Sequence, residues 1–263
     1  MKIKEINSVS TSKPYDRLLI EKRGWISKIP ESKKAVLLIS GGYDSIATAA
    51  RLIEDFGMQL YPMYVNRDSR NKEGELASIE YFTKYFQERY GKDSFHDVFQ
   101  PNIKVPPEEI KEQLQEYAKT HRYPMRDFIM QMFATQYAVT LGDDVRTICN
   151  GVISTDSIAD VGIARINTLA ICEMTKEWDW QILSINVDEN ITGSSFSKKN
   201  EIEWTVQHNI PMERTMTCWT PVKHDDFLYH CGECYACIER QTGFKDAGYD
   251  DPTKYFNRIE GEK

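Results

Sequence analysis

Ala35-Val36-Leu37-Leu38-Ile39-Ser40-Gly41-Gly42-Tyr43-Asp44-Ser45, running on into Ile46-Ala47-Thr48-Ala49-Ala50-Arg51-Leu52-Ile53, decides how the rest of the chain is read. Five consecutive apolar residues suit a strand buried on both faces, as in a parallel sheet. The run after Ser45 has an apolar face at helical spacing as far as Phe56, and Gly57 stands where a helix stop is expected. Between strand and helix, two adjacent glycines permit backbone angles and a close approach that side chains would block. Several amide N–H groups can therefore converge on one anion at the helix start, where the partial positive charge already favours it. This predicts a phosphate cradle. The loop is shorter than a P-loop and lacks its Gly-Lys-Ser/Thr ending, so no lysine is placed in advance on a γ-phosphate. Ser40 and Ser45 are the candidate hydroxyl donors, and Asp44 is the candidate Mg²⁺ ligand. A bare Gly-Gly with Ser45 near the helix start would by itself be an ordinary strand-to-helix turn.

The chain has 263 residues, enough for one large α/β domain or a domain with an appendage, and a formal net charge of −7,. Net negative charge argues against broad, non-specific nucleic-acid binding. The residues after Met1 are polar rather than an apolar leader, and no run approaches membrane-spanning length, so a cytoplasmic protein without membrane association is expected.

Residues 1–34 carry two mixed runs, Ile3 to Val9 and Leu18 to Ile29, separated by Thr11-Ser12-Lys13-Pro14; a small hairpin or an arm is expected, with Trp25 as its anchor or a dimer contact. Met58 to Val65 reads as the second strand. Ligands of open α/β sheets lie at the carboxyl ends of strands, so Met63, Tyr64 and Val65 are the candidate adenine-reading backbone. Glu73 to Tyr90 is a predicted helix with Leu76, Ile79, Phe82, Phe86 and Tyr90 at helical spacing, while Glu73 and Glu75 face either substrate or solvent, with solvent the favoured reading. Phe95 to Ile103 reads as a third strand. Pro106-Pro107 begins the acidic run Glu108 to Ala118, a solvated helix or lid, and Phe128 to Leu141 is amphipathic. Val145 to Gly151 and Trp180 to Ile185 read as the fourth and fifth strands, with helices over Ile163 to Trp178 and from Ser197 through Val206. Strands alternating with helices indicate a doubly wound parallel sheet.

Of six cysteines, Cys149 and Cys172 sit among apolar neighbours, whereas Cys218, Cys231, Cys234 and Cys237 crowd together. Without a secretory leader such a cluster points to metal before disulfides. Four thiolates close a tetrahedral Zn²⁺ shell with no position left for water, which makes the site structural rather than catalytic. A catalytic dithiol is the competing reading of Cys-x-x-Cys.

Ser40 to Ser45 resembles the Ser-Gly-Gly-x-Asp-Ser motif of the PP-loop ATP pyrophosphatases, a likeness that implies cleavage of ATP between its α and β phosphates. Thr217-Cys218-Trp219, Cys231-Gly232-x-Cys234-x-x-Cys237-x-x-Arg240, Gly243-Phe244-x-x-Ala247-Gly248 and Asp251-Pro252-Thr253-x-Tyr255 resemble the C-terminal signature of the 7-cyano-7-deazaguanine synthase family, QueC. With Tyr123-Pro124-Met125-Arg126 and Ser197-Lys198, the similarity runs over residues 35–255. The resemblance implies a PP-loop ATP-binding domain over residues 35–210 behind an arm over 1–34, and a zinc-binding segment over 211–263 packed on that domain. It also implies a homodimer that adenylylates the carboxylate of 7-carboxy-7-deazaguanine. Ammonia then gives an amide, and a second activation dehydrates it to the nitrile. Carried over, Ser40, Gly41, Gly42, Tyr43, Asp44 and Ser45 hold pyrophosphate and Mg²⁺, Arg126 faces ATP or substrate, and Cys218, Cys231, Cys234 and Cys237 hold Zn²⁺. Lys198 neutralises phosphate charge or is a solvated lysine in a helix's first turn.

Three segments depart from the family pattern: Val65-Asn66-Arg67-Asp68-Ser69-Arg70 after the second strand, Ser157 to Arg165 after the fourth, and Asp127 in place of an asparagine. ATP and zinc motifs are kept while acceptor-side segments differ. QueC-like relatives in antiphage systems imply a second acceptor, a protein amine, which needs an open channel to the activated carbon where ammonia needs only a small hole. The segments after Val65 and after Asp156 are where such a channel would open. Another PP-loop activity, such as sulfur transfer, and a non-catalytic nucleotide-binding module are the remaining readings.

Overall fold

The Ala35 to Leu38 run forms β1 (Lys34–Leu38), in which Ala35, Val36 and Leu37 have no exposed surface. The computed structural model describes residues 8–67, 69–121, 123–154, 161–225 and 227–260. On one side β1 pairs in parallel with β2 (Gln59–Met63), and on the other with β3 (Thr147–Cys149), which pairs with β4 (Gln181–Leu183). The order is β2-β1-β3-β4. The register sets Leu38 opposite Met63, Leu37 opposite Cys149 and Cys149 opposite Leu183, so all four strands present their carboxyl ends at one edge.

Alternate residues of a strand face opposite sides of the sheet, and both faces of this one are covered. Ala35, Leu37 and Ile39 pack with α2 (Tyr43–Glu54) and α3 (Lys72–Tyr90), while Val36, Ile148 and Ile182 pack with α5 (Arg126–Leu141) and α6 (Val161–Thr175). The sheet is doubly wound, with α4 (Glu108–His121) lying exposed between α3 and α5 in the chain.

Two expectations change. The predicted third strand is reduced to bridges at Phe95 and Phe99 along the outer edge of β2. Leu60 and Tyr64 donate to Ser94 and Phe99 carbonyls, but Pro62 between them has no N–H, so the ladder lacks its middle rung. The N-terminal region is a helix rather than a hairpin: α1 (Ser8–Arg23) contains Pro14 and ends where Gly24 takes φ +79°. Buried Arg165 of α6 pairs with Asp16 of α1 at 2.9 Å, which holds the helix to the domain. Trp25 is half-buried, with the Arg23 guanidinium 3.5 Å over its ring. Residues 3–7 of the first mixed run lie outside the described residues.

After β4 come α7 (Glu189–Thr192) and α8 (Lys198–Gln207), whose N-terminus is closed by a capping box between Ser197 and Asn200,. The hairpin β5 (Val222–His224) and β6 (Phe227–Tyr229) leads to α9 (Tyr235–Ala247), which packs along α8, and to α10 (Phe256–Glu260). No helix among the described residues is long and apolar enough to cross a membrane.

Candidate active site

The loop between β1 and α2 depends on its first glycine. Gly41 has φ +73°, and a Cβ there would lie 2.6 Å from the Glu75 carbonyl oxygen, so no other residue fits,. Its own carbonyl accepts from Ser78 Oγ at 2.7 Å and from the Met216 amide at 2.9 Å. Gly42 caps α2 without a side-chain acceptor, which leaves first-turn N–H groups for a ligand,. Ser40 Oγ and Ser45 Oγ lie 3.2 Å apart, and Ser45 Oγ donates to the Gly42 carbonyl at 3.0 Å, so the hydroxyls brace the loop.

A cleft of about 320 Å³ opens at the carboxyl edge of the sheet. Ser40, Gly42, Asp44 and Ser45 line one end, and Met63, Tyr64 and Val65 another wall. Arg126, Asp127, Met130 and Gln131 of α5 stand opposite, with Ile163 and Ala164 of α6. Sequence-predicted residues from four separate stretches thus share one cavity. Arg126 is not a free cation: its Nε lies 2.9 Å from Asp127, the residue that departs from the family pattern.

Gly41 and Tyr43 lie outside the lining. Gly41 acts through its backbone, and Tyr43 is a core residue, buried edge-on against Phe244 with its hydroxyl hydrogen-bonded to Thr205. Lys198 also stands behind the cleft rather than in it, and it is not solvated. Its side chain is 5% exposed and its ammonium bridges Asp44 and Glu201, the latter at 3.2 Å. Burial pushes the Glu201 carboxyl up while Lys198 pulls it back, and Glu201 Oε1 has no hydrogen-bond partner among the described residues. Glu75 is corrected as well: it is buried under the loop after β2, accepting from Tyr64 Oη at 2.7 Å and Ser69 Oγ at 3.0 Å, with Arg67 at 3.5 Å. Glu73 does face solvent, near Lys223.

Three participants escape sequence reasoning. Gly151 lets the chain after β3 pass so close that a Cβ would be 2.9 Å from Ser45 Cα. Asn150 accepts from Ser184 Oγ at 2.8 Å at the carboxyl edge, and Gln131 accepts from Asn167 across the cleft wall. Asn150-Gly151 is a turn signal in the sequence, but nothing there says what the turn abuts. The segment from Ser157 to Asp160 lies outside the described residues.

The four clustered cysteines come together with all Sγ atoms within 4.8 Å of one another. A tetrahedral shell with metal–sulfur bonds of about 2.3 Å has sulfur–sulfur edges of about 3.8 Å. The observed Cys231–Cys237, Cys218–Cys234 and Cys234–Cys237 separations are 3.9, 3.9 and 3.5 Å. Backbone amides of Cys231, Glu233 and Cys234 donate to Cys218 and Cys231 sulfurs, as charged thiolates require,. The donor set fits a metal ion, and sulfur ligands favour a soft one. Cys149 and Cys172 are apart from it, buried, with thiols pushed up by burial, Cys172 to about 11, so neither is a reactive nucleophile,.

The cysteine segment grips the phosphate loop. Besides Met216 on Gly41, the Thr217 hydroxyl accepts from the Tyr43 amide at 3.3 Å and from Arg240 at 3.4 Å. Arg240 is fully buried and also holds Thr215 Oγ1 at 2.7 Å, the Met212 carbonyl at 2.9 Å and Asp251 at 3.4 Å. Burial and the nearby Arg240 charge depress His230 to about 3, so its neutral ring accepts from the Thr217 amide.

The family model described as Queuosine biosynthesis protein QueC matches residues 34–248, a span that holds the phosphate loop, the cleft and all four cysteines. The chain belongs to the QueC family. It is similar to the 7-cyano-7-deazaguanine synthase of Thermoplasma volcanium, 29% identical over 235 residues, 85% of this chain and 91% of that protein. It is also similar to the synthase of the same name from Rickettsia felis, 27% identical over 235 residues, 85% of this chain and 99% of that one. Among solved structures, the NMN synthetase of Francisella tularensis aligns over 98% of this chain and 93% of its own, with 12% identity and a TM-score of 0.43. QueC membership implies use of ATP and Mg²⁺. Asp44, a hard carboxylate open to the phosphate end, is the donor that suits the metal,.

Proposed function

We propose that this QueC protein activates the carboxylate of 7-carboxy-7-deazaguanine with ATP and passes the acyl group to a nitrogen nucleophile, ammonia leading to 7-cyano-7-deazaguanine. One observation carries the reading. A single cleft has a helix start with Asp44 at one end and, across it, Arg126 with Asp127 and Gln131 beside the apolar Met130, Ile163 and Ala164. The first suits phosphates, and the second suits a planar heterocycle that bears a carboxylate.

In this reading the adenine lies against the backbone from Met63 to Val65, and the β and γ phosphates lie on the amides and hydroxyls of Ser40, Gly42 and Ser45. Arg126 orients the substrate carboxylate. A carboxylate oxygen attacks the α-phosphorus, the bond to the β-phosphate oxygen breaks, and pyrophosphate leaves with its electron pair. Ammonia then attacks the acyl carbon, AMP departs, and a proton is lost to give the amide. In a second round the amide oxygen attacks the α-phosphorus of another ATP, pyrophosphate leaves, and loss of AMP and of both N–H protons forms the nitrile. Asp44 would hold Mg²⁺, which when present draws charge from the departing pyrophosphate. Cys218, Cys231, Cys234 and Cys237 would hold zinc, which would act structurally because four sulfur ligands leave no position for water,.

Mass spectrometry of protein, Mg-ATP and 7-carboxy-7-deazaguanine, with ammonium in one reaction and proteins encoded beside the gene in another, tests the reading. Nitrile and AMP in the first are expected. A neighbouring protein that gains the deazapurine mass without nitrile would move the acceptor to a protein amine, and no AMP in either would overturn the activation itself.

A further inference from the structure

Lys198 occupies Asp44 Oδ1, so a divalent cation held by that carboxylate would meet an ammonium already on it. Two cations at such spacing repel strongly in a half-buried site. A cation arriving at Asp44, on either carboxylate oxygen, therefore favours withdrawal of the ammonium, and a withdrawn buried ammonium needs another anion. Glu201 supplies it one helical turn away. Its Oε2 already lies 3.2 Å from Lys198 Nζ, and its buried Oε1 has no hydrogen-bond partner among the described residues.

The two carboxylates differ in what can reach them. The Asp44 side chain is 28% exposed and lines the cleft, whereas that of Glu201 is 1% exposed and sits behind it. A cation from solvent reaches only Asp44. The lysine stem has little freedom to go elsewhere: a Cβ at Gly243 of α9 would run into Lys198 Cγ, and the Tyr43 ring lies 5.0 Å from Nζ on another side.

We propose that Glu201 is a positioning residue for the activation step, a buried seat that takes over the Lys198 ammonium when Asp44 turns to the metal. Lys198 is then a resident stand-in for the divalent cation, neutralising Asp44 while the cleft is empty. Glu201 keeps that lysine from holding Asp44 against the metal. The inference rests on the nucleotide reading above and goes beyond it by assigning Glu201 a function no contact with substrate would reveal.

The test uses the full-length protein and α,β-methylene-ATP, whose P–C–P link cannot be cleaved. Calorimetry gives its affinity with Mn²⁺ and with EDTA, and the ratio is the gain due to metal. Glu201→Gln keeps the shape and removes the anion, so Lys198 should stay on Asp44 and the metal gain should fall about tenfold, with affinity in EDTA changed much less. Lys198→Met in the Glu201→Gln background removes both buried charges and should restore the gain; thermal melting verifies that each variant is folded. A purely structural Glu201 would weaken both affinities alike. An unchanged ratio in Glu201→Gln, or a reduced ratio that persists in the double variant, overturns the proposal while leaving the nucleotide reading intact. A wild-type protein with no metal gain at all overturns both.

Discussion

A methyl group at position 151 would land 2.9 Å from the Cα and the amide nitrogen of Ser45, inside the turn that carries Asp44. Backbone cannot yield as a flexible side chain can, so Gly151→Ala should cost about 1–3 kcal/mol of stability by overpacking. It should also weaken ATP binding more than tenfold by tilting the first turn of α2, which melting curves and calorimetry would show together; a stable variant with normal ATP affinity would refute that contact. Asp44→Asn should keep the fold and lose at least about a hundredfold in pyrophosphate release, since it removes the carboxylate that would hold Mg²⁺ beside the departing pyrophosphate. Asp44 was legible because its motif is local. The burial of Lys198 was not: a lysine in a helix's first turn is usually solvated, and it takes Gly243, more than forty residues later, to bring α9 down over it.

At the scale of elements, α1 is held by a charge cluster. Burial alone would raise the Asp188 carboxyl, but the Arg165 guanidinium at 2.8 Å outweighs it, and the carboxyl sits below its ordinary value. A depressed carboxylate stabilises the fold above its unfolded pKa, about 4, and that contribution is lost as pH falls through the folded value. Arg165→Met should therefore destabilise by about 3–5 kcal/mol at pH 7, because it strands buried Asp188 and half-buried Asp16. The gap from wild type should close below pH 4, and a gap independent of pH in denaturant titrations would show that packing, not charge, holds α1. Pro14 hid this helix from sequence reading, because a proline inside a helix is normally a break,. Pro62 hid the failure of the third strand in the opposite way, by removing a rung from an otherwise good apolar run.

Over the whole molecule, the chain brings a loop near residue 41 and a segment near residue 217 into one unit through Met216 on Gly41 and Thr217 on Tyr43. The motifs announced both ends, since parallel strands, glycines and clustered cysteines are local signals, but not that they touch. Stripping metal from the four cysteines should thus loosen more than the cysteine segment. Hydrogen exchange at residues 40–46 should rise together with that at 216–218, and unchanged protection at the loop would contradict the brace. The most direct measurement of the central claim labels the substrate: 7-carboxy-7-deazaguanine carrying ¹⁸O in its carboxylate is turned over with ATP and ammonium, and the AMP is weighed. Attack of the carboxylate on the α-phosphorus predicts AMP that carries one ¹⁸O, with pyrophosphate unlabelled. Unlabelled AMP, or ADP and phosphate in its place, would mean that this cleft does not adenylylate a carboxylate.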